Sequence, residues 1–277
     1  MTVTALTSIN GSPGVTSTAL TWAQVSTRPT LLVEADPTGG SSLLCIAWQG
    51  AQSHDRSVLD LAHFAPTEFP QRIWDLVLPL PQRPKAAWLL PGVGTNAQAT
   101  TFGDLWAGLG DALRRISAES DIDVVIDMGR WNSRGFATAL LNRADAVLVM
   151  TDTTLPALSS LSLGLDPINE HLESAGAARR LAVVPLLGNE KGSKHRPYTA
   201  REVRQVTHDI PVLHGVTRDA KAAGERTWGR DRQRMRWVDR LISPHSGYPF
   251  SVQALIEATN AHTARADGYI TTDQEQA

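Results

Sequence analysis

Runs of β-branched and aliphatic residues alternate along the chain with segments in which apolar residues recur at helical spacing. This alternation is typical of βαβ units, which build a mostly parallel sheet. Crossovers between parallel strands are right-handed, so we expect an α/β fold with a doubly wound sheet of about seven strands and helices on both faces. The predicted strands are 3–9, 30–34, 87–90, 124–127, 146–151, 181–187 and 210–215, and the predicted helices are 16–25, 101–117, 133–142, 155–173, 199–207 and 251–262.

Two proline-rich connections, 64–84 and 185–197, interrupt this alternation and are predicted to be surface loops. Residues 264–277 are polar and almost free of large apolar side chains. The sequence therefore predicts a single domain over residues 1–263, followed by a flexible tail.

Composition narrows the possible partners and location. The formal net charge is only −2, so no global positive field attracts nucleic acid or anionic lipid. No apolar run approaches the roughly 20 residues needed to cross a bilayer, so we expect no membrane insertion. The single cysteine, Cys45, cannot form an intrachain disulfide, and the first residues lack the pattern of a signal peptide. These features predict a cytoplasmic protein.

The first candidate for chemistry is the segment SINGSPGVTSTAL at residues 8–20, between the first predicted strand and the first predicted helix. Gly11 and Gly14 permit the positive φ that a phosphate-binding nest of backbone N–H groups requires. Thr16 and Ser17 begin the helix and offer hydroxyl groups to a phosphate or to Mg²⁺. Taken alone the signal is weak, because many Gly-Ser-Pro-Gly turns before a helix look similar.

Four later segments make the interpretation more specific: TLLVEADPTGGS at 30–41, DVVIDMG at 123–129, RADAVLVMTDTTLPALSSL at 143–161 and IPVLHGVTRDAKAAGERTWGR at 210–230. Together with the glycine-rich loop, and in this order, they resemble the ParA/MinD family of P-loop ATPases with a deviant Walker A motif. The resemblance extends from about residue 3 to residue 229. It implies a P-loop NTPase-like fold, with the adenine held in the last of these segments.

The phosphate loop departs from the family pattern, which reads Lys-Gly-Gly-x-Gly-Lys-Thr-Thr. At the two lysine positions this chain has Asn10 and Val15. In the family the first lysine reaches across the dimer and the second contacts the β- and γ-phosphates. The resemblance implies that the nucleotide-binding residues are Gly11, Ser12, Gly14, Val15, Thr16, Ser17 and Asp219.

The acidic residues of the family motifs are retained. The resemblance assigns catalysis to Asp36 and Asp127, and Mg²⁺ binding to the same two carboxylates with Thr16. The alternative is that both aspartates only cap turns. Because Val15 is neutral, we expect hydrolysis to be slow or absent and the binding of ATP and Mg²⁺ to be weakened. Lys191, Lys194 or Arg196 could restore positive charge, although loop cations are commonly just solvated.

Arginines are concentrated between residues 226 and 240. On a helix, Arg226, Arg230, Arg234 and Trp237 would share one face. Such a stripe is a candidate interaction surface for a neighbouring subunit or an acidic partner protein, and DNA phosphate contact is a weaker alternative. A solvated helix face with internal ion pairs would look the same.

The preferred hypothesis is a ParA/MinD-like scaffold, nucleotide-responsive or nucleotide-free, that acts in positioning, partition or assembly of a larger machine. The family resemblance implies a homodimer or higher homo-oligomer. Two alternatives remain open: an active ATPase for chromosome or plasmid partition or for pilus or secretion-system localisation, and a pseudo-ATPase that forms filaments or coats.

Overall fold

Eight strands form one sheet in the order β3-β4-β2-β5-β1-β6-β7-β8, and every neighbouring pair is parallel except β3 with β4. The computed structural model describes residues 1–11, 13–81, 86–101, 103–131, 138–188, 197–218 and 247–274. The strands are β1 Val3–Ser8, β2 Thr30–Glu34, β3 Leu78–Pro79, β4 Ala87–Leu90, β5 Asp123–Arg130, β6 Ala146–Asp152, β7 Leu181–Leu187 and β8 Val216–Thr217.

Helices cover both faces of the sheet, as the sequence predicts. They are α1 Val15–Val25, α2 Ser42–Trp48, α3 Phe69–Leu76, α4 Asn96–Thr101, α5 Gly103–Ser120, α6 Thr138–Leu141, α7 Leu155–Ser174, α8 Ala200–Val203 and α9 Gly247–Gln274. Short 3₁₀ segments occupy Val58–His63, Pro66–Glu68 and Ala178–Arg180. Within the described part of the chain, no helix has the length and apolarity to span a membrane.

The central strands are buried on both faces because their alternate side chains enter two separate cores. Every residue of β1 is buried. Val3 and Ala5 belong to the core that α3, α5, α6 and α7 cover. Leu6 belongs to the core beneath α1, α2 and α9. This two-sided burial explains the continuous apolar character of the central strands in the sequence.

The strand pattern differs from the prediction at the two sheet edges. The observed sheet has one strand more than the seven predicted, since the antiparallel β3 is only two residues long and carries no periodic signal. The seventh predicted strand, 210–215, is displaced: regular pairing with β7 occurs at Val216–Thr217, and Val212 makes one isolated bridge to Val183.

The connection 64–84 is not simply a surface loop. It contains α3, whose Phe69 and Ile73 are buried in the core beside α5. The prolines do not exclude a helix here, because Pro70 stands in the first turn of α3, where a helix tolerates proline. The first residues of the second proline-rich connection, 185–197, belong to the end of strand β7, which includes Pro185.

The last helix is longer than predicted. It begins at Gly247 and ends at Gln274, whereas the sequence predicts 251–262. Its N-terminal half supplies Val252 and Leu255 to the core over α1, which fixes the position of the helix on the sheet. Residues 264–274 therefore have helical backbone, and the flexibility of 264–277 stays a prediction.

Candidate functional site

The two glycines of the loop between β1 and α1 have the backbone conformation that the sequence predicts for them. Gly11 and Gly14 have φ of +67° and +77°, in the left-handed region that other residues rarely adopt. Gly14 is the N-cap of α1, and its carbonyl accepts the bond from Thr18 N at 2.8 Å. The loop thus leads directly into a helix N-terminus, where backbone N–H groups and the helix dipole favour phosphate.

Strand β5 and helix α7 hold this loop in place. Trp131 N donates to Ser8 O at 2.7 Å, and the Thr7 hydroxyl donates to Gly129 O at 3.2 Å. On the other side, Asn10 Nδ2 donates to the Ser160 hydroxyl of α7 at 3.0 Å. Asn10 stands at the position of the family's signature lysine, so within this chain its amide is bound to its own helix α7.

Asp127 is the buried acid of the site, with only 1% of its surface exposed. Burial raises the pKa of its carboxyl from an ordinary 3.8 to about 7, and the charges of Glu34 and Asp36 act in the same direction. The Thr16 hydroxyl and the Gly129 N–H, the latter at 3.0 Å, hydrogen-bond to the carboxyl and oppose the rise in pKa. The carboxyl of β5 and the first turn of α1 are therefore in direct contact.

Glu34 lies opposite Asp127 in the register of β2 and β5 and is also buried. Its carboxylate accepts Leu43 N at 2.9 Å and Gly92 N at 3.1 Å. Burial raises its pKa, and these hydrogen bonds oppose the shift. The carboxylate of Glu34 therefore connects the N-terminus of α2 and the turn after β4 to the end of β2.

Asp36 is near Asp127 and also caps a turn, so the two sequence interpretations of this residue are compatible. Its Oδ1 accepts the backbone N–H and the hydroxyl of Thr38 at 2.8 and 2.7 Å. The same carboxyl lies against Gly129, where an added Cβ would be 2.1 Å from Oδ2. Gly129, with φ of +57°, thus leaves the space in which the carboxyl of Asp36 approaches β5.

Val15 cannot contribute charge, and its side chain is not directed into an open site. It is 3% exposed and belongs to the core between the sheet, α1 and α9. The position at which the family has its phosphate-binding lysine is thus part of the hydrophobic core here. The four lysines of the chain, Lys85, Lys191, Lys194 and Lys221, all lie outside the described residues.

The structure brings together the predicted residues Gly11, Gly14, Thr16, Asp36 and Asp127, with Val15 and Ser17 in the same turn of helix. The other predicted site residues lie outside the described part of the chain. They are Ser12 and Asp219 of the nucleotide site and Arg226, Arg230, Arg234 and Trp237 of the arginine stripe.

Sequence reasoning missed Arg130. It is the last residue of β5, and its Nε donates to Gly11 O of the phosphate loop at 3.3 Å. The available signal was its position, since the first residue after DVVIDMG must emerge at the carboxyl edge of the sheet, where ligands bind in folds of this type.

The donor set at this edge suits Mg²⁺ held jointly with phosphate. Mg²⁺ commonly takes one or two carboxylates together with waters and substrate phosphate oxygens. Thr16, Asp127 and Asp36 provide such oxygens beside the phosphate loop. In the described ranges no group of three or more His, Cys, Asp or Glu side chains is placed to hold a metal by itself.

A separate cavity of about 670 Å³ lies elsewhere, between the start of β7 and α9, with Leu181, Arg179, His262 and Arg265 among its lining residues. Burial lowers the pKa of His262. Because Leu181 is the first residue of its strand, this cavity opens at the amino edge of the sheet, opposite the phosphate loop.

The order of strands, the glycine loop before α1 and the acid of β5 beneath Thr16 define the ParA/MinD-like P-loop fold. Many solved structures share it, and three of them are described here. A ParA family ATPase from Chlorobium tepidum TLS superposes with a TM-score of 0.67 and 16% identity, over 91% of this chain and 96% of that one. The ATP complex of a variant of Cyanothece McdA gives a TM-score of 0.66 and 18% identity, over 94% of this chain and 96% of that one.

The third is the septum site-determining protein MinD of Pyrococcus horikoshii OT3 complexed with Mg-ADP, with a TM-score of 0.63 and 16% identity over 93% of this chain and 94% of that one. No protein-family model matches the sequence, and no curated protein matches it significantly. At these identities the comparisons establish the fold alone, which confirms the fold class predicted from the sequence.

Proposed function

We propose that this protein is a ParA/MinD-like P-loop protein that binds ATP with Mg²⁺ and responds to the nucleotide without efficient hydrolysis. In this role it would act as a scaffold for positioning, partition or assembly of a larger machine. The observation that carries the proposal is the contact between Thr16 and Asp127 beneath a phosphate loop with left-handed Gly11 and Gly14. A buried carboxyl in contact with a hydroxyl at a helix N-terminus supplies the oxygen ligands and the backbone N–H groups that Mg²⁺ and phosphate require together.

Weak hydrolysis follows from Val15. Phosphoryl transfer depends mainly on preorganised positive charge around the transferred group. Removing one such stabilising donor typically costs about 100- to 1000-fold in rate. With Val15 in the core, the loop lacks the lysine that supplies this charge in the family.

A thermal-shift titration tests nucleotide binding. The melting temperature should rise with ATP plus Mg²⁺ and rise less with ATP plus EDTA. Asp127→Asn should lose the Mg²⁺-dependent part of the shift. Asp111 is an exposed carboxylate of α5 that is paired with Arg143, and Asp111→Asn should keep the full shift. Absence of any shift in the wild type, together with no binding by calorimetry, would contradict the proposal.

An active ATPase remains the second candidate, and the retained acids Asp36 and Asp127 are the observation that favours it. The two candidates differ in steady-state phosphate release. The scaffold predicts release near background, whereas robust release that Asp36→Ala abolishes would identify an ATPase for partition or for pilus or secretion-system localisation.

The proposal includes self-association and a protein partner. One solved structure with this fold is described as a MinC:MinD complex, which supports a protein partner by analogy. Nucleotide-dependent dimerisation would appear as a change in molar mass by light scattering when ATP and Mg²⁺ are added. An unchanged molar mass with bound nucleotide would show that nucleotide binding does not drive dimerisation.

A further inference from the structure

The carboxyl edge of the sheet contains acids that require a counter-charge. Asp127, Glu34 and Asp36 interact electrostatically there, and a nucleoside triphosphate would add several negative charges beside them. Mg²⁺ and backbone dipoles offset part of that charge. A cation of the chain itself is expected as well, since Val15 does not supply one.

Arg130 is placed to be that cation. Its backbone pairs with Ser8, the residue at which β1 ends, and its Nε reaches the carbonyl of Gly11 within the phosphate loop. The side chain is exposed, and in the described part of the chain its two Nη groups have no hydrogen-bond partner. Arg218, another arginine at this edge, is instead ion-paired with Asp152.

The guanidinium is chemically suited to this role. It presents five N–H donors in a planar fork that matches phosphate oxygens, so one donor can hold the loop while others contact a ligand. The backbone around Arg130 is also fixed, because the next residue, Trp131, donates to Ser8 O. Its side chain therefore starts from a defined position next to the loop.

We propose that Arg130 replaces the missing phosphate-loop lysine and binds the phosphate groups of a nucleoside di- or triphosphate held by Gly11, Gly14 and the first turn of α1. This inference rests on the proposed function. It adds a phosphate ligand from β5 to a loop in which the lysine position has become part of the core.

Calorimetry on the full chain tests this with ATP, ADP and adenosine in the presence of Mg²⁺. Arg130→Gln keeps a donor for Gly11 O but removes the charge, so ATP affinity should fall about 10- to 100-fold, as expected for one charge-assisted hydrogen bond. Adenosine binding should not change. Arg130→Lys should be intermediate. Arg115→Gln, an exposed arginine paired with Glu119 near the opposite edge, is the matched control and should bind like the wild type.

The double variant Val15→Lys/Arg130→Gln distinguishes charge from loop geometry. If charge is what Arg130 supplies, the lysine should recover most of the lost ATP affinity. Wild-type binding that Arg130→Gln leaves unchanged would overturn the role of Arg130 and leave the proposed function intact. Binding by Val15→Lys but not by the wild type would also overturn it. Absence of binding by the wild type would overturn the proposed function itself, whether or not Val15→Lys binds ATP.

Discussion

At the scale of single residues, the site combines a buried carboxyl, Asp127, with a neutral residue, Val15, at the position where the family has a lysine. In ParA/MinD-like loops a lysine meets the phosphates, but here Val15 is in the core and Asp127 is buried near two other carboxyls. Without bound Mg²⁺, the Asp127 carboxyl is partly protonated near neutral pH, because its pKa is raised to about 7. Binding of Mg²⁺ would therefore release a proton and relieve an unfavourable burial, which couples ligand binding to stability.

Asp127→Asn should change how stability depends on pH. The folded protein holds the Asp127 proton more tightly than the unfolded chain does, because the pKa rises from 3.8 to about 7 on folding. Stability from this group is therefore greatest below pH 3.8 and is lost as pH rises to 7, by on the order of 4 kcal/mol. The asparagine variant should lack this loss. Without Mg²⁺ at pH 8 it should be the more stable protein.

Urea unfolding at several pH values between 4 and 8 measures this difference. Glu34, whose pKa is also raised, remains in the variant and keeps part of the slope. Asp111→Asn serves as the exposed control and should follow the wild type. Equal pH slopes for wild type and Asp127→Asn would show that Asp127 does not carry the effect.

Val15→Lys should strengthen triphosphate binding at a cost in stability. A lysine at this position can extend its aliphatic stem along the core and place its ammonium at the loop, where it meets the β- and γ-oxygens. We expect ATP affinity to increase about 10-fold or more. The free protein should melt at a lower temperature, since Val15 is 3% exposed. Calorimetry and thermal melting measure the two effects separately, and Val15→Met controls for the change in volume.

The sequence predicts the site residues that lie within one contiguous motif and misses those set by neighbouring strands. Gly11, Gly14 and Thr16 follow from the local turn and helix start. Asp127 follows from the resemblance of the segment DVVIDMG to a motif of the ParA/MinD family. The contact of Arg130 with the phosphate loop and the hydrogen bonds of Glu34 to neighbouring elements depend on which strands are adjacent, since β5 lies between β2 and β1. Single-sequence patterns carry no information on that order.

At the scale of elements, the phosphate-loop helix α1 is fixed by the last helix of the chain. The hydroxyls of Thr18 in α1 and Tyr248 in α9 are hydrogen-bonded at 3.1 Å in a buried position. The start of α9 is in turn tied to β8, because Thr217 N donates to the Ser251 hydroxyl at 3.0 Å. The helix that begins at the phosphate loop thus depends on a contact more than two hundred residues away in the sequence.

Removing one partner of this pair should destabilise the protein more than removing both. Tyr248→Phe leaves the Thr18 hydroxyl buried without its tyrosine partner, and we expect a loss of about 1 to 2 kcal/mol. Thr18→Val/Tyr248→Phe should recover part of that loss, because no orphaned hydroxyl remains at Thr18. A double-mutant cycle in urea measures the coupling. Additive effects of the two substitutions would show that the bond contributes nothing beyond packing.

The sequence does not predict short helices that depend on contacts with other parts of the chain. Helix α2 has no side-chain cap of its own, and its Leu43 N–H is bound by Glu34 from strand β2. Helix α3 begins beside a proline and is stabilised by burial of Phe69 and Ile73 rather than by length. The long elements with clear periodicity, such as α7 and β6, were predicted within about a turn, because their own apolar pattern determines them.

At the scale of the whole molecule, the sheet offers little edge for pairing with another sheet. Both edge strands, β3 and β8, are two residues long, and β3 contains Pro79, which cannot donate to a ladder. Assembly by continuous sheet extension is therefore disfavoured within the described part of the chain. We therefore expect the proposed self-association to use other surfaces. The arginine stripe predicted from the sequence is the strongest remaining candidate, although its residues lie outside the described ranges.

Replacing Arg230 and Arg234 by glutamate should shift the oligomeric state towards smaller species in light scattering. An interface anchored by arginine and tryptophan loses binding energy when its charges are reversed, whereas a solvated face would not respond. The control is Arg201→Glu/Arg204→Glu, which makes the same charge change at exposed positions in and after α8. DNA contact would give a different result: duplex binding at physiological salt, steeply salt-dependent and abolished by the first pair, with the oligomer unchanged. That outcome would replace a protein partner by DNA as the target of the stripe.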